Sequence, residues 1–236
     1  QTPYSTLKFA VGQSKWRASS IGRKEAPTLS FVVNLSMPNS ITLAFISSAF
    51  NEAKNLEELY LRCRTACEEV QREYTGRLGL EFHFIVADNG SEDDSLAVLE
   101  GLSRLDSAVI PIANKMNYGV EDSIGNLMEQ ARCFDLVVLL CSDLQDPPEI
   151  AANMVKILLE HQEVDAVLGV KKRSSGGVAL RLARRIYYQV LGLSSRRPMV
   201  PSGFHGFGCY RKAVVEEAVV DKAPAASLAA AGAVGG

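Results

Sequence analysis

With 236 residues and a formal charge of −2, the chain is long enough for one substantial domain and has no electrostatic bias toward nucleic acid or anionic lipid. Its cysteines, at 63, 67, 133, 141 and 209, are an odd and scattered set, which sets aside a disulfide scaffold and points to reduced thiols in a cytoplasmic protein. No apolar run approaches the roughly 18 residues of a spanning helix, and no apolar stretch follows the first basic residues. Neither a transmembrane segment nor a secretory signal is therefore expected, and the protein should be soluble or at most peripheral.

Residues 1 to about 26 are rich in Ser, Lys and Arg without a sustained period, so they are expected to be disordered. Lys8, Lys15, Arg17, Arg23 and Lys24 face only Glu25, a transit-peptide bias, but the amphipathic pattern of such a segment is missing. Phe31 to Val33 suits an accessory strand, and 1–40 as a whole reads as a disordered or accessory extension.

The domain proper, 41–221, begins with a strand over Ile41 to Phe50 that ends at Asn51-Glu52. Leu56, Leu59, Cys63, Cys67 and Val70 then recur at helical spacing, so the Cys63 and Cys67 pair reads as core packing. Phe82 to Ala87 is the next strand, ending at Asp88-Asn89-Gly90-Ser91, with a helix marked by Leu96, Leu99 and Leu102. Val109 to Ile112 is a short strand, and Ile124, Leu127, Met128 and Ala131 mark another helix. Val137 to Cys141 suits a strand buried on both faces, after which Pro147 opens a helix carrying Ile150, Met154, Ile157 and Leu158. Val164 to Val170 is a further strand, 178–191 a helix, and Gly203 to Tyr210 a glycine-rich strand. Residues 222–236 form a low-complexity Ala/Gly tail, and the chain reads as if it stops early. Strands alternating with helices imply an α/β fold with a mainly parallel sheet covered on both faces.

Polar clusters follow the strands at Asn51-Glu52, at Asp88-Asn89, and at Asp143, Gln145 and Asp146. Parallel strands bring all of them to one sheet edge, where open α/β folds bind ligands. Taken alone, Asp146 before Pro147 reads as a helix cap. Gly-x-Gly-x-x-Gly and the P-loop pattern are both missing, while Asp143 and Gln145 are hard oxygen donors suited to Mg²⁺ or Mn²⁺ on a diphosphate.

These segments resemble glycosyltransferase family two. Ser48-Ala49-Phe50-Asn51-Glu52 is similar to the family's Pro-x-Tyr-Asn-Glu, and Ala87-Asp88-Asn89-Gly90-Ser91 to its Val-Asp-Asp-Gly-Ser. Asn117-Tyr118-Gly119 resembles Asn-x-Gly, and Gly206 to Arg211 resembles the late Gly-Phe-x-Leu-x-x-Arg segment. Asp143-Leu144-Gln145-Asp146-Pro147-Pro148-Glu149 matches the heptad of the polyprenyl-phosphate glycosyltransferase branch.

The resemblance implies a GT-A fold and an inverting, metal-dependent transfer of a sugar from a nucleotide-diphosphate donor, most often a UDP-sugar. The acceptor is a glycan hydroxyl or a polyprenyl phosphate, at the cytoplasmic face of a membrane. Phe50 and Glu52 would hold base and ribose, Asp88 would accept from the base, and Asn89 and Gly119 complete the donor-binding set. Lys171 and Arg173 would hold the diphosphate, and Asp143 with Gln145 the metal ion. The catalytic candidates are His205, a general base near neutral pH, and Asp146. One departure stands out: Cys141 occupies the first position of the family's Asp-x-Asp motif. It motivates an alternative, a degenerate domain that binds a nucleotide sugar or a protein partner without turnover. A nucleotidyltransferase fits less well, since its glycine-rich basic signature is missing after the first strand.

Overall fold

The computed structural model describes residues 4–11, 15–20, 39–171 and 204–220; for 4–20, Lys171, Phe204, His205 and Val220 it describes the backbone alone. In chain order the elements are β1 (Tyr4–Val11), β2 (Lys15–Ser20), β3 (Ser40–Ala49), α1 (Ala53–Glu73), β4 (Gly79–Asp88), α2 (Ser95–Leu105) and β5 (Val109–Ala113). There follow α3 (Val120–Ala131), β6 (Leu136–Leu139), α4 (Pro148–Glu160), β7 (Val164–Lys171), β8 (Phe204–Arg211) and α5 (Lys212–Val220).

The strands form one sheet in the order β2-β1-β7-β8-β6-β3-β4-β5. Pairing is parallel from β6 through β3 and β4 to β5, as the alternating pattern predicts. The sheet is nevertheless mixed. β8 runs antiparallel between β6 and β7, so β7 keeps the direction of β6 without touching it. Tyr210 explains why a glycine-rich strand fits there: its buried ring lies so close to Gly208 that a Cβ at that position would sit 2.8 Å from the phenol oxygen.

Both faces of the central strands are dry. Leu43, Phe45, Phe84, Val86 and Val138 face α1, α2 and α4, while Ala44, Ile46, Ile85, Val137 and Leu139 face α3 and α5. The helices bury most of the stripes that their spacing predicts, with Leu56, Leu59, Cys63, Cys67 and Val70 of α1 all buried and Leu96, Ile124 and Ile157 half-buried. α5, for which the sequence suggested no element, adds Val214, Val215 and Ala218 to the second face.

The expectation of disorder over 1–26 is corrected for β1 and β2, which form an antiparallel pair, with β1 extending the sheet beyond β7. The physical reason is a period-two alternation of Leu7, Phe9 and Val11, together with an edge whose backbone groups need partners. Phe31 to Val33, the helix expected at 178–191 and the 222–236 tail lie outside the described residues.

Candidate functional site

The chain steps from β3 to β4 to β5 on one side and returns through α3 to the other side of β3 as β6. Connections therefore leave β3 and β6 in opposite directions, which opens a crevice beyond their carboxyl ends. Phe50, Asn51 and Glu52 follow β3, Asp88 ends β4 with Asn89 just after it, and Cys141 to Asp146 follow β6.

The turn after β3 is sewn to the start of α2. The N–H groups of Asn51, Glu52 and Ala53 donate to Ser91 Oγ, Ser95 Oγ and Asp93 Oδ2 at 2.9, 2.9 and 3.1 Å. In return, Glu92 N–H donates to Asn51 Oδ1 at 2.8 Å. The α1 amino end is thus satisfied by side chains at and just before the start of α2, since Glu52 makes no capping bond of its own. The Ser95 hydroxyl in particular holds the Asp93 carboxyl below its ordinary range. Phe50 remains 42% exposed beside this network.

Asp88 is only 3% exposed. Its Oδ2 accepts from Ser91 N–H at 3.2 Å, but among the described residues its Oδ1 is buried without a partner. The Asn89 carboxamide is spent within the fold. Its Nδ2 donates to Asn117 Oδ1 at 2.9 Å and to Gly119 O at 3.2 Å, and its Oδ1 accepts from Tyr118 N–H at 3.1 Å and from Asn114 Nδ2 at 3.2 Å. Gly119 sits in this knot at φ 85° and opens α3.

Strand β6 ends at Leu139, earlier than the predicted Cys141, because the Cys141 N–H turns to Asp146 Oδ2 at 3.0 Å. Leu144 takes φ 61°, and the chain folds back so that Gln145 donates from N–H to Asp143 Oδ1 at 3.0 Å and from Nε2 to Asp143 Oδ2 at 2.7 Å. Cys141, Asp143 and Gln145 are exposed, whereas Asp146 is fully buried. Asp146 thus frames the turn from within. Ser142 Oγ ties the turn to Ser48 O at 3.0 Å, and Ser48 Oγ lies 2.8 Å from Ser123 Oγ of α3.

Two further candidates reach the same edge through topology. Lys171 ends β7, whose direction matches β6, and His205 lies in the first part of β8, which starts beside Val170. Arg173 lies outside the described residues. Among the described residues no three His, Cys, Asp or Glu side chains gather as a metal cluster, and no helix is long and apolar enough to cross a membrane.

The family model described as Glycosyl transferase family 2 matches residues 45–219, a span holding the whole crevice. The chain belongs to this family. An undecaprenyl-phosphate 4-deoxy-4-formamido-L-arabinose transferase of Pseudomonas aeruginosa (strain LESB58) is 30% identical over 179 residues, covering 74% of this chain and 48% of that protein. A transferase of the same name from Proteus mirabilis (strain HI4320) is 31% identical over 133 residues, covering 56% of this chain and 37% of the relative. The chain thus spans about half the length, or less, of these curated relatives. The crystal structure of mannosyl-3-phosphoglycerate synthase from Rubrobacter xylanophilus shares the fold with a TM-score of 0.52 at 17% identity, over 82% of this chain and 63% of that one. The glycosyl transferase family 2 sheet seen here is the GT-A fold that the motifs imply.

Several roles in this family 2 site escape a reading by motif. Ser91, Asp93 and Ser95 hold the β3 turn, and Asn114 and Asn117 hold Asn89. The signal for the first group was present, because Asp93-Asp94-Ser95 before an apolar helical period is a helix-start pattern. Nothing local announces that these side chains serve a different helix.

Proposed function

We propose that the chain is the donor-binding and catalytic part of a glycosyltransferase that moves a sugar from a UDP-sugar to a polyprenyl phosphate, with inversion and with a divalent ion. The observation that carries this reading is Asp88 Oδ1, a buried carboxylate oxygen at a strand end in the crevice that has no partner among the described residues. Leaving a buried acceptor unpaired costs about 1–3 kcal/mol, and the imide N–H of a uracil base supplies the missing donor. The exposed ring of Phe50 offers a stacking face for that base, and Glu52 an acceptor for ribose hydroxyls.

Asp143 and Gln145 fit a Mg²⁺ or Mn²⁺ ion, which takes one or two protein oxygens and completes its shell with substrate phosphates and water. Gln145 spends its Nε2 on Asp143, which leaves its amide oxygen for an ion. An ion held by Asp143 and Gln145 would supply charge neutralisation for the departing diphosphate. Lys171, at the same edge, and Arg173 assist it. The acceptor oxygen attacks the anomeric carbon as the diphosphate oxygen leaves from the opposite side, which inverts that centre.

A phosphate acceptor is already an anion and needs no protein base, in keeping with the burial of Asp146. His205 is the base for a glycan hydroxyl, the other acceptor class. The undecaprenyl-phosphate named in the Pseudomonas aeruginosa relative favours the lipid acceptor, and with it a reaction at the cytoplasmic membrane face.

Calorimetric titration of UDP with Mn²⁺ tests the site. Wild-type protein should bind, and Asp143→Ala should lose at least about tenfold in the Mn²⁺-dependent part of the affinity. Equal binding by both removes Asp143 from the site. The exposed Cys141 favours the second reading, a binding domain without turnover. Sugar transfer or donor hydrolysis gained only in Cys141→Asp would establish that reading instead.

A further inference from the structure

Every polar atom of the Asn89 carboxamide is engaged, and all its partners lie between Asn114 and Gly119. Its main chain joins the same junction: Asn89 N–H donates to Ala49 O at 2.7 Å, and Asn114 N–H to Asp88 O at 2.9 Å. Next to it, Gly90 at φ 72° lets the Met116 and Asn117 backbone come so near that a Cβ would meet it at 2.7–2.9 Å. Residues 115–119, by contrast, are exposed and bury no side chain of their own. Among the described residues, the loop's hydrogen bonds to side chains elsewhere in the fold all run to Asn89.

We infer that Asn89 is a positioning residue, whose amide fastens the 114–119 loop to the end of β4 so that the loop and Asp88 stand as one wall of the donor site. The inference rests on the donor-site reading given above. Asp88 precedes Asn89 directly and carries the unpartnered oxygen, so any slack at Asn89 moves that oxygen relative to Phe50 and the β3 turn. An error of a fraction of an ångström matters for a single buried hydrogen bond.

The chemistry calls for an amide and not a carboxylate. Asn89 donates twice and accepts twice, which an ionised aspartate of the same shape cannot do. Such a group would face Asn117 Oδ1 and Gly119 O, two acceptors. Turning the Asn117 amide to donate instead would take away the acceptor that Gly119 N–H uses at 2.8 Å. Asn89 and Asn117 therefore specify one another, although the family motif quoted above has aspartate at the first of these positions.

The test has two readouts on wild type, Asn89→Asp and Asn117→Ala, the last at an exposed position where the fold should tolerate the change. Hydrogen exchange follows the Tyr118 and Gly119 amides, which donate to Asn89 Oδ1 and Asn117 Oδ1. Calorimetry follows UDP. Both variants should exchange these amides at least about tenfold faster and bind UDP about tenfold more weakly, the factor expected for one hydrogen bond. Unchanged exchange in both variants overturns the knot. Faster exchange with wild-type UDP affinity leaves the loop tied but overturns its positioning role. If wild type itself fails to bind UDP, the donor-site reading and the positioning role fall together, and the exchange arm alone still decides whether the knot exists.

Discussion

Asn51 and Leu144 hold positive φ, 58° and 61°, in the turns that leave β3 and β6. Asparagine tolerates that region through its short polar side chain, but leucine is strained there by about 1–3 kcal/mol. The first turn frees three N–H groups to be met by Ser91, Asp93 and Ser95, and the second spends stability on geometry by folding Gln145 back onto Asp143. Gly90 is the third special residue of the crevice, and its demand is stricter, since it combines φ 72° with backbone contact to Met116 and Asn117. Gly90→Ala is expected to destabilise the protein by about 2 kcal/mol or more, from the φ penalty plus displacement of the loop. Thermal or urea unfolding checks this, and a variant as stable as wild type would show that the close approach is absent in solution. Motifs flagged most of these positions as polar strand ends. What they did not show was which atoms of Asp88 and Asn89 are spent within the fold and which are left for a ligand.

At the scale of elements, α1 is the helix that binds the first face together. Its Tyr60 hydroxyl donates to Asp106 Oδ2 at 2.6 Å in the α2 to β5 turn, Arg64 pairs with the same carboxylate, and Arg62 grips Glu149 of α4 at 2.7 and 2.9 Å. Tyr60, the Ala108 N–H and Arg64 together hold the Asp106 carboxyl below its ordinary range, and Arg62 does the same for Glu149. A carboxyl with a depressed folded pKa contributes stability above its unfolded value, near 4, and that contribution fades as pH falls through the lower folded value. Asp106→Asn should therefore be less stable than wild type at neutral pH, with a difference that narrows below about pH 4. Denaturant midpoints measured from pH 7 to pH 2 test the sign, and a gap that widens in acid would refute it. The predicted helices appear because each carries a 3.6-residue apolar period that one flat sheet face can bury. The α5 helix and the β1–β2 pair were missed because short elements take their stability from the neighbours they cover, which lie far away in sequence.

For the whole molecule the decisive element is β8. It joins β6 to β7, and its placement at the crevice edge brings the Gly-rich segment beside the β6 turn. Tyr210 lies across Gly208 and donates to Gly206 O at 3.2 Å, so the strand is thin where the Tyr210 ring lies against it. Burial drives the Tyr210 hydroxyl well above its ordinary pKa, and Cys209, buried on the other face, is pushed up to about 12. Both groups are thus neutral structural members at physiological pH. Gly208→Ala should cost about 1–3 kcal/mol by overpacking against Tyr210 and Leu168, and should loosen β7 and β8 together. Hydrogen exchange across both strands checks the outcome, and a loss confined to β8 would mean that the sheet does not respond as a unit.

The sequence by itself determined the order of strands and helices from β3 to β7, the family, and the polar clusters at three strand ends, because periodicity and motif are properties of neighbouring residues. Only the tertiary structure decided that β8 runs antiparallel between β6 and β7, that Asp146 is sealed inside its turn, and that Asn89 is bound to the 114–119 loop while Asp88 keeps one oxygen unpaired. Pairing partners and burial are set by residues distant along the chain, and a hydrogen-bonding group is free or occupied only once the fold has brought its competitors within reach.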